Sequence, residues 1–284
     1  MCAAPVAPPA GSVSAAAAAR AASAVADLPP WWRLLGSRLV TFSLLELRKI
    51  RHDRTEIYTR AIQPMLWLLI FGETFTRIKA IPTGRTPYLE FLAPGIMAQS
   101  ALFVAIFYGI MIIWERDFGI LTKLMATPTP RIALITGKAF AAGLRSVAQV
   151  VAILALCAVL RIEISWNPLR LLGVVLVVVL GSAFFATLSM TIAGLVLSRD
   201  RLMGIGQAIT MPLFFGSNAL YPTALMPGWL QGLARVNPLS YEVDALRGLL
   251  VGTDSSLALD VGVLVVAAVA GIVAASALLH RLTR

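Results

Sequence analysis

The chain has 284 residues, 58% of them apolar and only 13% charged, with a mean hydropathy of +0.83. Soluble domains carry about a quarter charged residues, so a water-soluble enzyme is excluded and an all-α polytopic membrane protein is expected. The net charge of +10 would suggest nucleic acid in a soluble protein, but here the basic residues flank apolar runs and read as cationic loops beside membrane lipid, with no nucleic-acid partner.

Residues 1–30 are rich in Ala, Pro and Ser. Without a charged leader or a leucine core they do not read as a signal peptide, and a disordered cytoplasmic tail is expected. Over 31–56, Trp31, Leu34, Leu35, Leu39, Phe42 and Leu45 fall at helical spacing, with Arg38, Arg48, Lys49 and Arg51 largely off that stripe. This pattern predicts an amphipathic helix in the membrane interface. Six spans follow, at about 57–77, 89–113, 134–160, 169–197, 204–222 and 257–280, each near the roughly 20 residues needed to cross the hydrocarbon core. The first has the shortest apolar stretch, bracketed by Arg60 and Glu73. Most of the 24 basic residues then fall in the tail, the 114–138 and 198–203 loops and the C-terminus. The positive-inside rule accordingly places both termini in the cytoplasm, although Arg77, Lys79 and Arg85 in the first outer loop run against it.

Two connections are too polar to span yet patterned enough to fold. In WERDFGILTKLMATPTP (114–130), Glu115, Arg116 and Asp117 precede Ile120, Leu121, Leu124 and Met125 at one-turn spacing, and Pro128 and Pro130 close the segment. The expectation is one cytoplasmic helix of about three turns, either seated in a partner's groove or lying on the membrane surface. Between 222 and 252, Asn237-Pro238 is a helix start and Gly252 a stop. This reads as two short outer helices dipping back toward the membrane.

FLAPGIMAQSA (91–101), WERDFGILTKLMATPTPR (114–131), PLFFGSNALYP (212–222), MPGWL (226–230) and NPLSYEVDALR (237–247) together resemble the membrane subunit of type-2 ABC exporters. The order of the five motifs around six spans carries the resemblance, which runs from about residue 31 to the end. SNALYP is closest to the daunorubicin-resistance branch. The resemblance implies a permease powered by a separate ATPase subunit, which would hold the ATP and Mg, and a second permease copy or paralogue in a bacterial plasma membrane. It implies ATPase coupling through Glu115, Arg116, Asp117, Phe118, Gly119, Leu121, Lys123, Leu124 and Met125. An outer lid would involve Trp229, Asn237, Pro238, Tyr241, Asp244 and Arg247.

No cofactor is expected in this chain. Gly137-Lys138 lacks both the earlier Gly and the following Ser/Thr of a phosphate-binding loop. Cys2 and Cys157 read as free thiols, His52 and His280 lie in charged flanks, and no spacing of His, Cys or carboxylates resembles a metal site. Phe103, Phe107, Phe214, Phe215 and Asn218 either line a route for an amphipathic drug, lipid or glycolipid or simply pack helices. Arg145 either joins that route or snorkels to the interface. A secondary, ion-coupled transporter is the alternative, and it would require ionisable groups near mid-membrane. No constellation of residues suggests a membrane-embedded enzyme.

Overall fold

The computed structural model describes residues 54–78, 81–82, 86–125 and 130–283, together with isolated positions between 36 and 52. The expected tail and most of the expected interface helix lie outside these residues. Among the described residues, all regular structure is helical. The elements are α1 (Arg54–Ile78), α2 (Tyr88–Asp117), α3 (Ile120–Met125), α4 (Arg131–Val159), α5 (Pro168–Val196), α6 (Arg199–Phe215), α7 (Gly228–Val236), α8 (Pro238–Leu250) and α9 (Leu257–Leu278). Short 3-10 turns lie at Thr223–Leu225 and Leu279–Thr283.

Four helices, α2, α4, α5 and α9, are long and apolar enough to cross a membrane. Helix is what such sequences must form, because a lipid-facing backbone can satisfy its N–H and C=O groups only within itself. The Asn-Pro starts are local: Asn167 and Asn237 each accept a hydrogen bond at 3.0 Å from the amide two residues on, with proline next in line.

The first and fifth expected spans fall short of that standard. α1 has 25 residues, but Arg60, Gln63, Glu73 and Arg77 dilute its apolar surface and Pro64 interrupts its ladder. α6 ends at Phe215, not at 222, and its 17 residues cover about 25 Å against the roughly 30 Å of a hydrocarbon core. Helix formation stops at Gly216 because Ser217, Asn218 and Ala219 turn back to meet α2 and α8.

α2 is the axis of the bundle. It packs against α1, α3, α4, α5, α6 and α8, and 78% of its most apolar stretch is buried, against 22% for the last helix. Apolar side chains gain little by leaving lipid for protein, so close helix approach depends on small residues and on hydroxyls that reach across. Gly109 lies against the backbone of α5, and Ser189 of α5 donates to the Ile106 carbonyl at 2.9 Å. Gly95 meets the Ala219 carbonyl so closely that no side chain fits between them.

An added methyl at Gly109 would lie 2.5 Å from the Ala186 carbonyl oxygen. Gly109→Ala and Gly95→Ala should therefore each cost about 1–3 kcal/mol by overpacking. Gly232→Ala, on α7 with open space around it, should be neutral or mildly stabilising. Thermal unfolding in detergent measures all three, and equal midpoints would contradict the packing.

Candidate functional site

At one end of the bundle, the segment expected to be a single three-turn helix is divided. Residues 114–117 are the last turn of α2, Gly119 takes a left-handed backbone (φ +68), and only then does the six-residue α3 begin. The charged residues of that last turn face this chain. Glu115 pairs with the buried Lys138 of α4. Arg116 donates at 3.1 Å to the carbonyl of Leu197, which caps α5 in a left-handed conformation. Asp117 accepts from Arg199 of α6 at 2.7 Å and is paired with Arg116 at 2.8 Å. The Arg199 guanidinium also lies over the Trp114 and Phe118 rings, at 5.3 and 5.8 Å. The end of α2 is thus stapled to α4, α5 and α6.

α3 sits on that staple. Leu121, expected to enter a partner, is instead fully buried in this chain's own core. Leu124 and Met125 are half-buried against the same core. What α3 and its turn leave outward is Phe118 (68% exposed), Ile120 (47% exposed), Thr122 and Lys123. The correction has a simple cause: a six-residue helix cannot hold itself together, so its most apolar position is spent as an anchor. Residues 126–129 lie outside the described chain.

At the opposite end, Arg247 of α8 reaches into the turn after α6. Its guanidinium donates to the carbonyls of Phe91 (3.1 Å), Asn218 (2.6 Å) and Ala219 (3.2 Å) while lying 3.6 Å from the Phe91 ring centroid. Asn218 donates to Asp244 at 2.6 Å. The cap residue Asn237 donates its other amide arm to Leu213 at 2.7 Å, and Tyr88 of α2 donates to Leu220 at 3.2 Å. Every irregular carbonyl named here has a donor, as burial requires. Of the other expected lid residues, Tyr241 bonds the Arg235 carbonyl at 2.6 Å, Pro238 opens α8, and Trp229 is 74% exposed.

Sequence reasoning overlooked Glu242. Its carboxyl is fully buried against Gly181 of α5, and neither oxygen has a hydrogen-bond partner. Such a group is tolerable there only as the neutral acid. Its signal was visible as an acidic residue on the apolar face of α8.

The expected pathway residues do not converge on one place. Phe103 and Phe107 stack, at 6.4 Å and 18°, in the wall of a cavity of about 290 Å³ between α1, α2 and α4. Phe214 is buried edge-on to Trp67 of α1, at 6.0 Å, whereas Phe215 is 42% exposed. Asn218 belongs to the turn after α6, and Arg145 lies over the Tyr108 ring at 5.4 Å. Gln99, Ser100 and Gln149 share the cavity wall with the two phenylalanines, and were overlooked as isolated polar residues within apolar runs.

Residues 39–251 match the family described as ABC-2 type transporter. The chain belongs to that family. It is 31% identical over 198 residues to transport permease ycf38 of Porphyra purpurea, covering 68% of this chain and 67% of the relative. The ycf38 protein of Cyanophora paradoxa matches at 30% over 192 residues, 66% of this chain and only 64% of the relative's own length. The daunorubicin resistance ABC transporter permease protein of Streptomyces coeruleorubidus is 26% identical over 257 residues, 90% of this chain and 84% of that protein. An ABC-2 permease is a membrane transport subunit, in keeping with the apolar helices described above.

Arg247 is the residue whose geometry no other side chain reproduces, since lysine offers a point charge and not a planar fork. Both Arg247→Lys and Arg247→Met should lower stability by at least about 2 kcal/mol, because buried carbonyls lose their donors. Unfolding midpoints measure this, and a wild-type midpoint in Arg247→Lys would contradict the clamp.

Proposed function

We propose that this permease is the membrane half of an ATP-driven exporter. It pairs with a second copy or a paralogue and with a separate ATPase subunit that carries ATP and Mg. It crosses a bacterial plasma membrane six times, α1 and α6 included, with both termini in the cytoplasm and α7–α8 as re-entrant helices at the outer face. Its cargo is an amphipathic drug, lipid or glycolipid, a reading supported by the daunorubicin-resistance relative.

The observation that carries this reading is the outward face of α3. Phe118, in the turn before it, and Ile120 and Lys123 project from a helix too short to stand alone, whose base is fastened to α2 and through it to α4, α5 and α6. Apolar side chains on a rigid short helix suit insertion into a groove on a partner. When the ATPase subunits close on ATP, force on these residues moves α2 and the stapled helix ends as one body. This chain breaks no bond itself: Glu115, Arg116 and Asp117 hold the helix ends together, and Leu121 keys α3 into them. The Glu242 carboxyl, against Gly181 in the middle of α5, is the kind of buried acid an ion-coupled carrier would use, and dependence of export on an ion gradient would favour that second reading.

Phe118→Asp and Ile120→Asp should insert and fold normally yet reduce both ATPase co-purification and ATP-dependent transport, since a carboxylate buried in an apolar groove is costly. Leu121→Asp should instead damage the fold of the chain itself. Normal co-purification and transport in the Phe118 and Ile120 variants would refute the assignment.

A further inference from the structure

α8 lies along α5 with two of its side chains set over two glycines. Leu249 fills the space at Gly173, where an added methyl would lie 3.0 Å from it, and the Glu242 carboxyl fills the space at Gly181. Among the described residues no hydrogen bond or ion pair joins α8 to α5 itself. The bonds of α8 go elsewhere. Arg247 holds it to α2 and to the turn after α6, Asn237 holds its start to α6, and the Leu250 carbonyl at its far end accepts from Ser165 at 2.7 Å. α8 rests on α5 without being fastened to it.

Leucine or methionine would fill the space at Gly181 as well as glutamate does. What the carboxyl adds is a proton. Glu242 is fully buried and neither oxygen has a donor, so the ionised form is far more costly in this slot than in water. α8 packs on α2, α5 and α9, and none of their ionisable side chains bonds Glu242. On α2, Tyr88 bonds Leu220, Glu90 lies near the start of the helix, Tyr108 lies under Arg145, and Glu115, Arg116 and Asp117 are paired at the opposite end. Arg170 of α5 lies beside Gly252, and Asp260 of α9 is buried with Oδ2 unmatched. On α8 itself, Tyr241 bonds Arg235, while Asp244 and Arg247 are engaged with Asn218 and each other.

We propose that Glu242 is a proton-operated latch: protonated, it seats α8 on α5 at Gly181, and ionised, it holds α8 away from α5 in contact with water. This latch rests on the reading of α7–α8 as the outer re-entrant helices and adds how they are regulated. The proton leaves to the outside water and returns from the same side, so it biases the position of α8 without driving transport. Freed into water, the carboxyl loses its proton at the ordinary value, about 4.3, whereas the seated carboxyl keeps it to higher pH. The seated state therefore binds one proton more. It dominates in acid, and above that value the ratio of lifted to seated α8 rises by up to about tenfold per pH unit.

The test uses the full chain in lipid nanodiscs. Leu246, fully buried one turn beyond Glu242, is replaced by cysteine, and its modification by a water-soluble maleimide is followed by mass spectrometry from about pH 5 to about pH 8. At each pH the rate with Glu242 is divided by the rates in Glu242→Gln and Glu242→Met backgrounds, which cancels the thiol's own titration. Both quotients should rise with pH, by up to about tenfold per unit. Asp260→Asn should leave the rise intact. Quotients that do not change with pH, or no modification at any pH, would overturn the proposal. So would loss of the rise in Asp260→Asn, which would assign the titration to Asp260. Faster modification in both neutral backgrounds than with Glu242 at the acid end would also overturn it, because the carboxyl would then be a structural fastening. The exporter reading is judged separately: it fails if the wild-type permease does not co-purify with its ATPase subunit, whatever the labelling shows.

Discussion

A chain this apolar can leave helical conformation only where something else satisfies its backbone, and one guanidinium does so for the turn after α6. Arg247 serves carbonyls from two distant stretches, Phe91 on α2 and Asn218–Ala219 in the turn. Its own position is fixed by α8, whose start is capped by Asn237, itself bonded back to Leu213 of α6. Gly95 permits the approach, because the Ala219 carbonyl occupies the space a side chain would take. The short length of α6, the burial of Asn218 and the seating of α8 against α2 all follow from this one satisfied turn.

The opposite end of α2 is held by a different chemistry. There, ion pairs and a single carbonyl contact join Glu115, Arg116 and Asp117 to Lys138, Leu197 and Arg199. α2 therefore joins the α3 anchor at one end to the Arg247 clamp at the other. It contains Pro94 but remains continuous over its 30 residues. A helix packed on six others transmits displacement as a body, since close-packed interfaces slip between discrete arrangements and do not flex. The cavity lies along the same helix, with Gln99, Ser100, Phe103 and Phe107 on it, so movement of α2 against α1 or α4 changes the cavity directly.

Much of this was legible in the sequence where the signal is local. The long apolar runs foretold α2, α4, α5 and α9, and Asn237-Pro238 foretold the start of α8. What sequence alone could not supply were contacts between segments far apart. The break at Gly119 is visible as a glycine, yet whether 114–125 is one helix or two depends on Arg116 and Asp117 finding Leu197 and Arg199, some eighty residues away. Leu121 carries the same apolar signature whether it faces a partner or its own core. Phe103, Phe214 and Asn218 looked like one pathway because hydrophobic spacing does not report which helix lies opposite. Glu242, Gln99 and Gln149 were passed over because a lone polar residue acquires meaning only once burial and the missing partner are seen.

In the proposed mechanism energy enters from outside this chain, through α3, and no ion gradient is needed. The most direct measurement reconstitutes the permease in proteoliposomes with and without its ATPase subunit, and follows ATP hydrolysis and export of a fluorescent amphipathic drug while ionophores collapse every ion gradient. The permease alone should hydrolyse nothing and export nothing, and the complex should do both with the gradients abolished. Export by the permease alone, driven by an imposed proton or sodium gradient, would contradict the account.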